Sequence, residues 1–178
     1  MAQILCGSEA KMTTTFFIGD THFGHKNIIK FDSTRAFRQF ATIEEHDEEL
    51  VRRWNSVVSK NDTVWHLGDF AFGSTNVEIA GRLNGHKKLV LGNHDHYPSE
   101  VYLKHFHKLY GTVAIEGALL SHIPVHPGSI ERFGVNIHGH LHSETIGDVR
   151  YVCVSCEQIN LTPVVWEEIS GKIKALSE

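Results

Sequence analysis

Apolar runs in this sequence repeatedly end in an acid, an amide or an imidazole, mostly beside a glycine. TTTFFI closes on Gly19-Asp20-Thr21-His22, DTVWHL on Gly68-Asp69, and KKLVL on Gly92-Asn93-His94. Further on, GALLSH ends in His122, and GVNIHGH runs out into His140 and His142. None of these side chains suits the interior of a sheet, and a plain turn needs only the glycine and the asparagine. One such cluster is cheap coincidence. Five in chain order point to a shared ligand. Gly19, Gly68, Gly92 and Gly139 are expected to permit the sharp exits that turn these side chains into one mouth.

Carboxylate, imidazole and amide together suit borderline divalent ions such as Mn, Fe, Co, Ni or Zn. Calcium wants oxygen alone, and structural zinc sites draw on thiolates. The seven candidates Asp20, His22, Asp69, Asn93, His122, His140 and His142 exceed what one ion of four to six ligands takes. Two ions sharing a bridging carboxylate, ~3.5–4 Å apart as in two-metal hydrolases, use them all. Thiol chemistry is set aside, because three cysteines close no disulfide framework and agree with a reducing compartment. Cys153 and Cys156 lie in the strand-like run RYVCVSCEQI, where residues three apart face opposite ways.

The elements that must position this chemistry alternate. Strands are expected at 13–18, 62–67 and 87–91, with helices between them. The first helix, 42–58, opens on a capping box from Thr42 to Glu45 and keeps Ile43, Leu50, Trp54 and Val57 at helical spacing. The second, 75–83, has a similar box from Thr75 to Glu78. Residues 99–107 read as helix, and 117–122, 134–140 and 149–155 as strands with little helix between. NLTPVVWEEI reads as a last strand running into a short helix. A first half of this kind implies parallel strands under helices, and the strand-rich second half a second sheet. The order fits an α/β fold, a four-layer α-β-β-α sandwich of two mixed sheets flanked by helices. Its ligands would gather at the carboxyl ends of the strands.

The 178 residues, 41% hydrophobic and 21% charged, fit one globular domain over 13–178. Residues 1–12 read as a flexible extension, since Met12 directly precedes the first strand-like run. The start lacks the pattern of a signal peptide, and no apolar stretch approaches the ~20 residues of a bilayer span. A cytoplasmic protein is expected. A net charge of −4 argues against an extended nucleic-acid surface and leaves room for a local basic pocket. Of the 14 histidines, His46, His105 and His107 read as ordinary helix or surface positions, and His66 as core.

Asp20-x-His22, Gly68-Asp69, Gly92-Asn93-His94, His122 and Gly139-His140-x-His142 together resemble the five motifs of the calcineurin-like metallophosphoesterases. The stretch DTHFGHKNIIKF is similar to a short, single-domain bacterial and phage branch of that superfamily. The resemblance implies that Asp20, His22, Asp69 and His142 hold one metal. Asp69 as the bridge, with Asn93, His122 and His140, would hold the other, and manganese is favoured among the ions. It implies hydrolysis of a small phosphomonoester or phosphodiester, nucleotides among the candidates, by a metal-bridging hydroxide. His94 would be the catalytic group at the leaving oxygen, and Asp95 would support the turn. Two divalent ions, two carboxylates and a hydroxide leave a net positive site, which suits a phosphate.

Two positions depart from the protein phosphatases of that superfamily. Phe72 stands where an Asp would orient the catalytic His, and Gly73 where an Arg would grip phosphate. A phosphoprotein substrate is therefore disfavoured. Substrate contacts are sought in residues 23–40. There His25 reads equally as a contact or as a loop histidine. Arg35 and Arg38, interleaved with Phe31, Phe37 and Phe40, read as a base-stacking lid or as a loop pinned to the core, the second slightly preferred. His138 is expected to pack behind the site, and His126 to lie on a loop near His122. The alternatives to a small-ester hydrolase are a nuclease, for which the chain is short and acidic, and an inactive scaffold, which would have lost ligands that are present here. Oligomeric state is left open.

Overall fold

The computed structural model describes residues 13–115 and 117–170. The expected N-terminal extension, residues 1–12, lies outside them. The parallel half of the sequence forms a five-stranded sheet in the order β4-β3-β2-β1-β9. Its strands are β1 (Thr15–Ile18), β2 (Thr63–His66), β3 (His86–Val90), β4 (Lys108–Tyr110) and β9 (Val164–Val165). Only β9 runs antiparallel, against β1. The second sheet is β5 (Val113–Ile115), β6 (Ala118–Leu120), β7 (Val135–His138) and β8 (Tyr151–Cys153). Here β6, β7 and β8 are parallel, and β5 pairs antiparallel with β6. Both sheets are mixed and helices flank them, as the sandwich requires. β4 and β5, three residues each, were not foreseen from the sequence.

One apolar cluster joins the two sheets, with Phe17, Ile18, Val64, Leu67 and Leu89 meeting Ala118, Leu120, Ile137 and Val154. Near-continuous burial of β1, β2 and β3 is what parallel strands covered on both faces show. Gly19 stitches the sheets directly: its N–H donates to Val154 O at 2.8 Å, and it bridges Ser155.

Helix α1 (Ile43–Val57) opens on the expected Thr42 cap, with Glu45 reaching one residue past it. Glu45 N–H donates to Thr42 Oγ1 at 3.1 Å, while Glu45 Oε2 accepts from Ala41 N–H at 3.1 Å. It buries Ile43, His46, Leu50, Val51 and Trp54. The second expected helix differs. Ser74–Arg82 is a 3-10 segment that starts at Gly73 without a side-chain cap, and Glu78 instead pairs with Lys104 and His105. Val77, Ile79 and Gly81 are weak helix formers, too few residues follow to repay nucleation, and the tighter coil is the result. α2 (Ser99–Leu103) is likewise shorter than the 99–107 expected. Among the described residues, no helix is long and apolar enough to cross a membrane.

Candidate metal centre

The carboxyl ends of β1, β2 and β3 in one sheet and of β6 and β7 in the other face a common mouth. Asp20, His22, Asp69, Asn93, His122, His140 and His142 leave those ends and converge there. His22 Nε2 lies 3.9 Å from Asp20 Oδ1 and 3.7 Å from Asp69 Oδ2. His122 Nε2 lies 3.3 Å from Asp69 Oδ2, 3.0 Å from Asn93 Oδ1 and 3.3 Å from His140 Nδ1. The rings of His22 and His142 stack with centroids 5.2 Å apart. Two groups have the compactness that a metal ion needs: Asp20, His22 and His142, and Asp20, Asp69 and His122. Asp20 is common to both, and Asp69 Oδ2 touches a histidine of each.

The backbone reaches this arrangement by unusual means. Asp20, His22, Asp69, His140 and His142 all take positive φ, between 50° and 71°. For L-residues the left-handed region costs ~1–2 kcal/mol each, less for Asp and His than for bulky types. The adjacent glycines act mostly through space rather than through backbone freedom, which corrects the sequence reading. Only Gly68 among the four has positive φ. A Cβ on Gly92 would sit 2.2 Å from Asp69 Oδ1, and one on Gly139 2.5 Å from Asp20 Oδ2. These glycines let backbone and carboxylate touch.

A set of fixed bonds aims the side chains. Asp95 Oδ2 accepts from Asp69 N–H at 2.7 Å and from Gly92 N–H at 2.9 Å, while Oδ1 accepts from Phe70 N–H at 3.1 Å. This carboxylate ties the β2 exit to the β3 exit. Asp20 Oδ2 accepts from Ser155 Oγ at 2.7 Å and His140 N–H at 2.9 Å. His122 donates Nδ1–H to Leu67 O at 2.8 Å, and His142 donates Nδ1–H to Glu157 Oε1 at 3.2 Å. Each imidazole thus turns Nε2 toward the cluster, as a second partner does for a ligating histidine.

The electrostatics call for positive charge. Burial pushes the Asp20 carboxyl up to about 6, despite the nearby His122, His142 and Ser155. Burial also opposes the Asp69 anion, but the His122 hydrogen bond and the charges of His122 and His22 hold its pKa well below the usual range. His122 is pushed up to about 9, burial being outweighed by Asp69 and Asp20. Asp20 Oδ1 and both ring nitrogens of His22 are buried without a hydrogen-bond partner. Buried polar atoms left unpaired amid carboxylates and imidazoles are what a cation satisfies. The residues present fit one.

His94 stands at the rim, its side chain 44% exposed. Its N–H donates to Asp69 Oδ1 at 2.9 Å, and its Nε2 is 3.9 Å from Asp69 Oδ2. Phe72 stands with its ring 5.9 Å from that of His94 and offers no polar group to orient it. Gly73, where a phosphate-gripping Arg was missing, uses its N–H on Tyr97 Oη at 2.6 Å. His25 sits beside His22 and against Phe72, near the mouth. Beyond Asn93 and His122 opens a cleft of about 350 Å³, bounded by Gly111, Thr112, Ile123 and Val125.

Arg38 is not part of a lid. Fully buried, it donates to Glu157 Oε1 at 2.7 Å, to the carbonyls of Asp20 at 2.6 Å and Thr21 at 3.2 Å, and to His46 Nε2 at 2.8 Å. It braces the β1 exit from behind. Arg35 lies in solvent, paired with Asp32 at 3.0 Å. His138 packs behind the site with Nδ1–H on Gly139 O, and His66 is core. His126 is exposed and caps its own turn. His46 was misjudged from its charged helix, for it is buried under Arg38. Glu157 and Ser155 carried no readable signal at all, since neither sits in a motif.

No profile of a known protein family matches the sequence. The chain is 31% identical over 166 residues to the uncharacterized protein MJ1445 of Methanocaldococcus jannaschii, covering 86% of this chain and 87% of that one. It is 44% identical over 90 residues to the gene 66 protein of Mycobacterium phage L5, which is 47% of this chain but only 41% of the phage protein's length. Among solved structures, the protein of unknown function AQ665 from Aquifex aeolicus is similar with a TM-score of 0.69 and 29% identity, over 90% of this chain and 99% of that one.

Proposed function

We propose that this chain, which belongs to the same family as the Methanocaldococcus jannaschii protein MJ1445, is a metal-dependent hydrolase of small phosphomonoesters or phosphodiesters. One observation carries the reading: buried, unpartnered atoms of Asp20 and His22 amid converging carboxylates and imidazoles, with a half-exposed His94 at their rim. Asp20, His22, Asp69 and His142 would hold one divalent ion, and Asp69, Asn93, His122 and His140 a second, manganese first among the candidates. Such ions, when bound, draw a phosphate in and lower the pKa of water.

The chain's own groups do the rest. Asp95 and Arg38 keep the β1, β2 and β3 exits fixed, so the ligand set is in place before substrate arrives. Leu67 O and Glu157 hold the His122 and His142 rings with Nε2 inward. His94, anchored through its N–H but exposed at its ring, is reachable by the leaving oxygen and would carry a proton to it at Nε2.

The test pairs two variants. His94→Asn should keep the wild-type metal content while kcat falls ~10²–10⁴-fold, with a smaller loss on p-nitrophenyl esters than on alkyl esters. Asp69→Asn should lose metal and activity together, because its carboxylate touches both histidine sets. Elemental analysis beside turnover of both ester types decides it. Wild-type protein that takes up no divalent ion, or metal loss in His94→Asn, would sink the assignment.

A further inference from the structure

We infer that the rim beside the metal cluster is a stacking ledge for a nucleobase, so that the esters taken are nucleoside phosphates. The inference rests on the phosphoesterase reading above and names its substrate class.

Aromatic rings line the rim of the cluster, where His25 and His94 each reach back to His22 at 5.7 Å and Phe72 lies between them. His22 and His94 are 5.7 Å apart, His94 and Phe72 5.9 Å, Phe72 and His25 4.3 Å, and His25 and Phe31 5.8 Å. Phe72 is 42% exposed and Phe31 47%. Scattered exposed phenylalanines need no explanation, but two bridged by an imidazole at the lip of a polar site do.

The ledge is built in advance. Phe72 N–H donates to Phe23 O at 2.8 Å, Phe72 O accepts from Asn76 Nδ2 at 2.6 Å, and Gly73 N–H is held by Tyr97. Asn76 is wedged between the two loops so tightly that a Cβ on Gly24 would lie 2.0 Å from its Nδ2. Its backbone is thereby pinned, and the Phe72 ring stands at the lip rather than in the core. On the other side, Phe31 O accepts from Thr34 N–H at 3.0 Å and Arg35 N–H at 2.8 Å. Little ordering cost remains to be met on binding.

The spacing selects the partner. Phe72 is one ring beyond His94, and His94 Nε2 is 3.9 Å from Asp69. A planar group reaching the ledge from a phosphate in the cluster therefore needs a spacer of about one ring, as a ribose provides. An aryl phosphate has none.

Calorimetric titration of the manganese-loaded protein with nonhydrolysable phosphonate analogues of AMP and of ribose 5-phosphate tests this. The adenosine ligand should bind about 5- to 150-fold more tightly, the range that base–aromatic stacking provides. In Phe72→Ala that advantage should collapse toward parity with metal content intact, and Phe72→Trp should restore it. Equal affinities in the wild type, or a base preference that survives in both Phe72→Ala and Phe31→Ala, would overturn the ledge. Binding is read without turnover, so the two readings fail separately. Ester hydrolysis without base preference leaves the phosphoesterase standing and removes the ledge. Base preference without hydrolysis does the reverse.

Discussion

At the scale of single residues, the sequence hid its most committed side chain. Glu157 is buried, and its Oε1 accepts from both Arg38 and His142, joining the brace behind β1 to a proposed ligand. Burial alone would raise its pKa, but the His142 bond, the Arg38 charge and the Arg38 bond hold it at about 2. Glu157→Gln keeps the shape and removes the charge that fixes His142. Metal affinity should fall ~10–100-fold, the usual cost of losing a ligand's outer partner. Glu157→Ala should also leave Arg38 buried without its anion, at ~3–5 kcal/mol of stability. Metal titration and urea denaturation of both variants separate the two effects. Unchanged metal affinity in Glu157→Gln would show that the Glu157 charge does not orient His142.

At the scale of elements, the strand exits and α1 make opposite demands. The exits trade stability for geometry: positive φ at five proposed ligands, and backbone so close that glycine alone fits. Gly92→Ala should force Asp69 out of place, lowering metal content and activity with the fold retained. Gly111→Ala, which meets nothing within 4 Å, is the matched control and should do neither. Loss of metal in both would point to general instability instead. α1 carries no proposed ligand and meets the site's support through His46 on Arg38. Thr42→Ala removes the cap bond to Glu45 N–H and should cost ~1 kcal/mol of stability without changing metal affinity. Thermal denaturation with and without manganese reads both.

At the scale of the whole molecule, the proposed ligands come from both sheets. Asp20, His22, Asp69 and Asn93 follow strands of the first sheet, and His122, His140 and His142 follow strands of the second. A bound ion would therefore clamp the sheets together, beside the stitch of Gly19 on Val154. Metal at 100 times its Kd should stabilise the fold by ~2.7 kcal/mol, if only the folded chain binds it. Removal with EDTA should lower Tm, and manganese should restore it. A Tm indifferent to chelation would mean that no ion bridges the sheets.

The sequence by itself determined the strand exits, the capped helix α1 and the order of the proposed ligand motifs, because these are local. A glycine after an apolar run, a Thr three residues before a Glu and a period of two or 3.6 are written in neighbouring positions. It did not reveal β4 and β5, three residues each, whose strand character comes from the neighbours they pair with. Nor did it separate Arg38 from Arg35, three positions apart with similar surroundings, one buried behind Asp20 and the other in solvent. Arg38 meets Glu157 across 119 residues, and Asp20 meets Ser155 across 135. Only the packing of one sheet on the other brings those partners together, and no local pattern encodes a contact that two distant strands make by folding face to face.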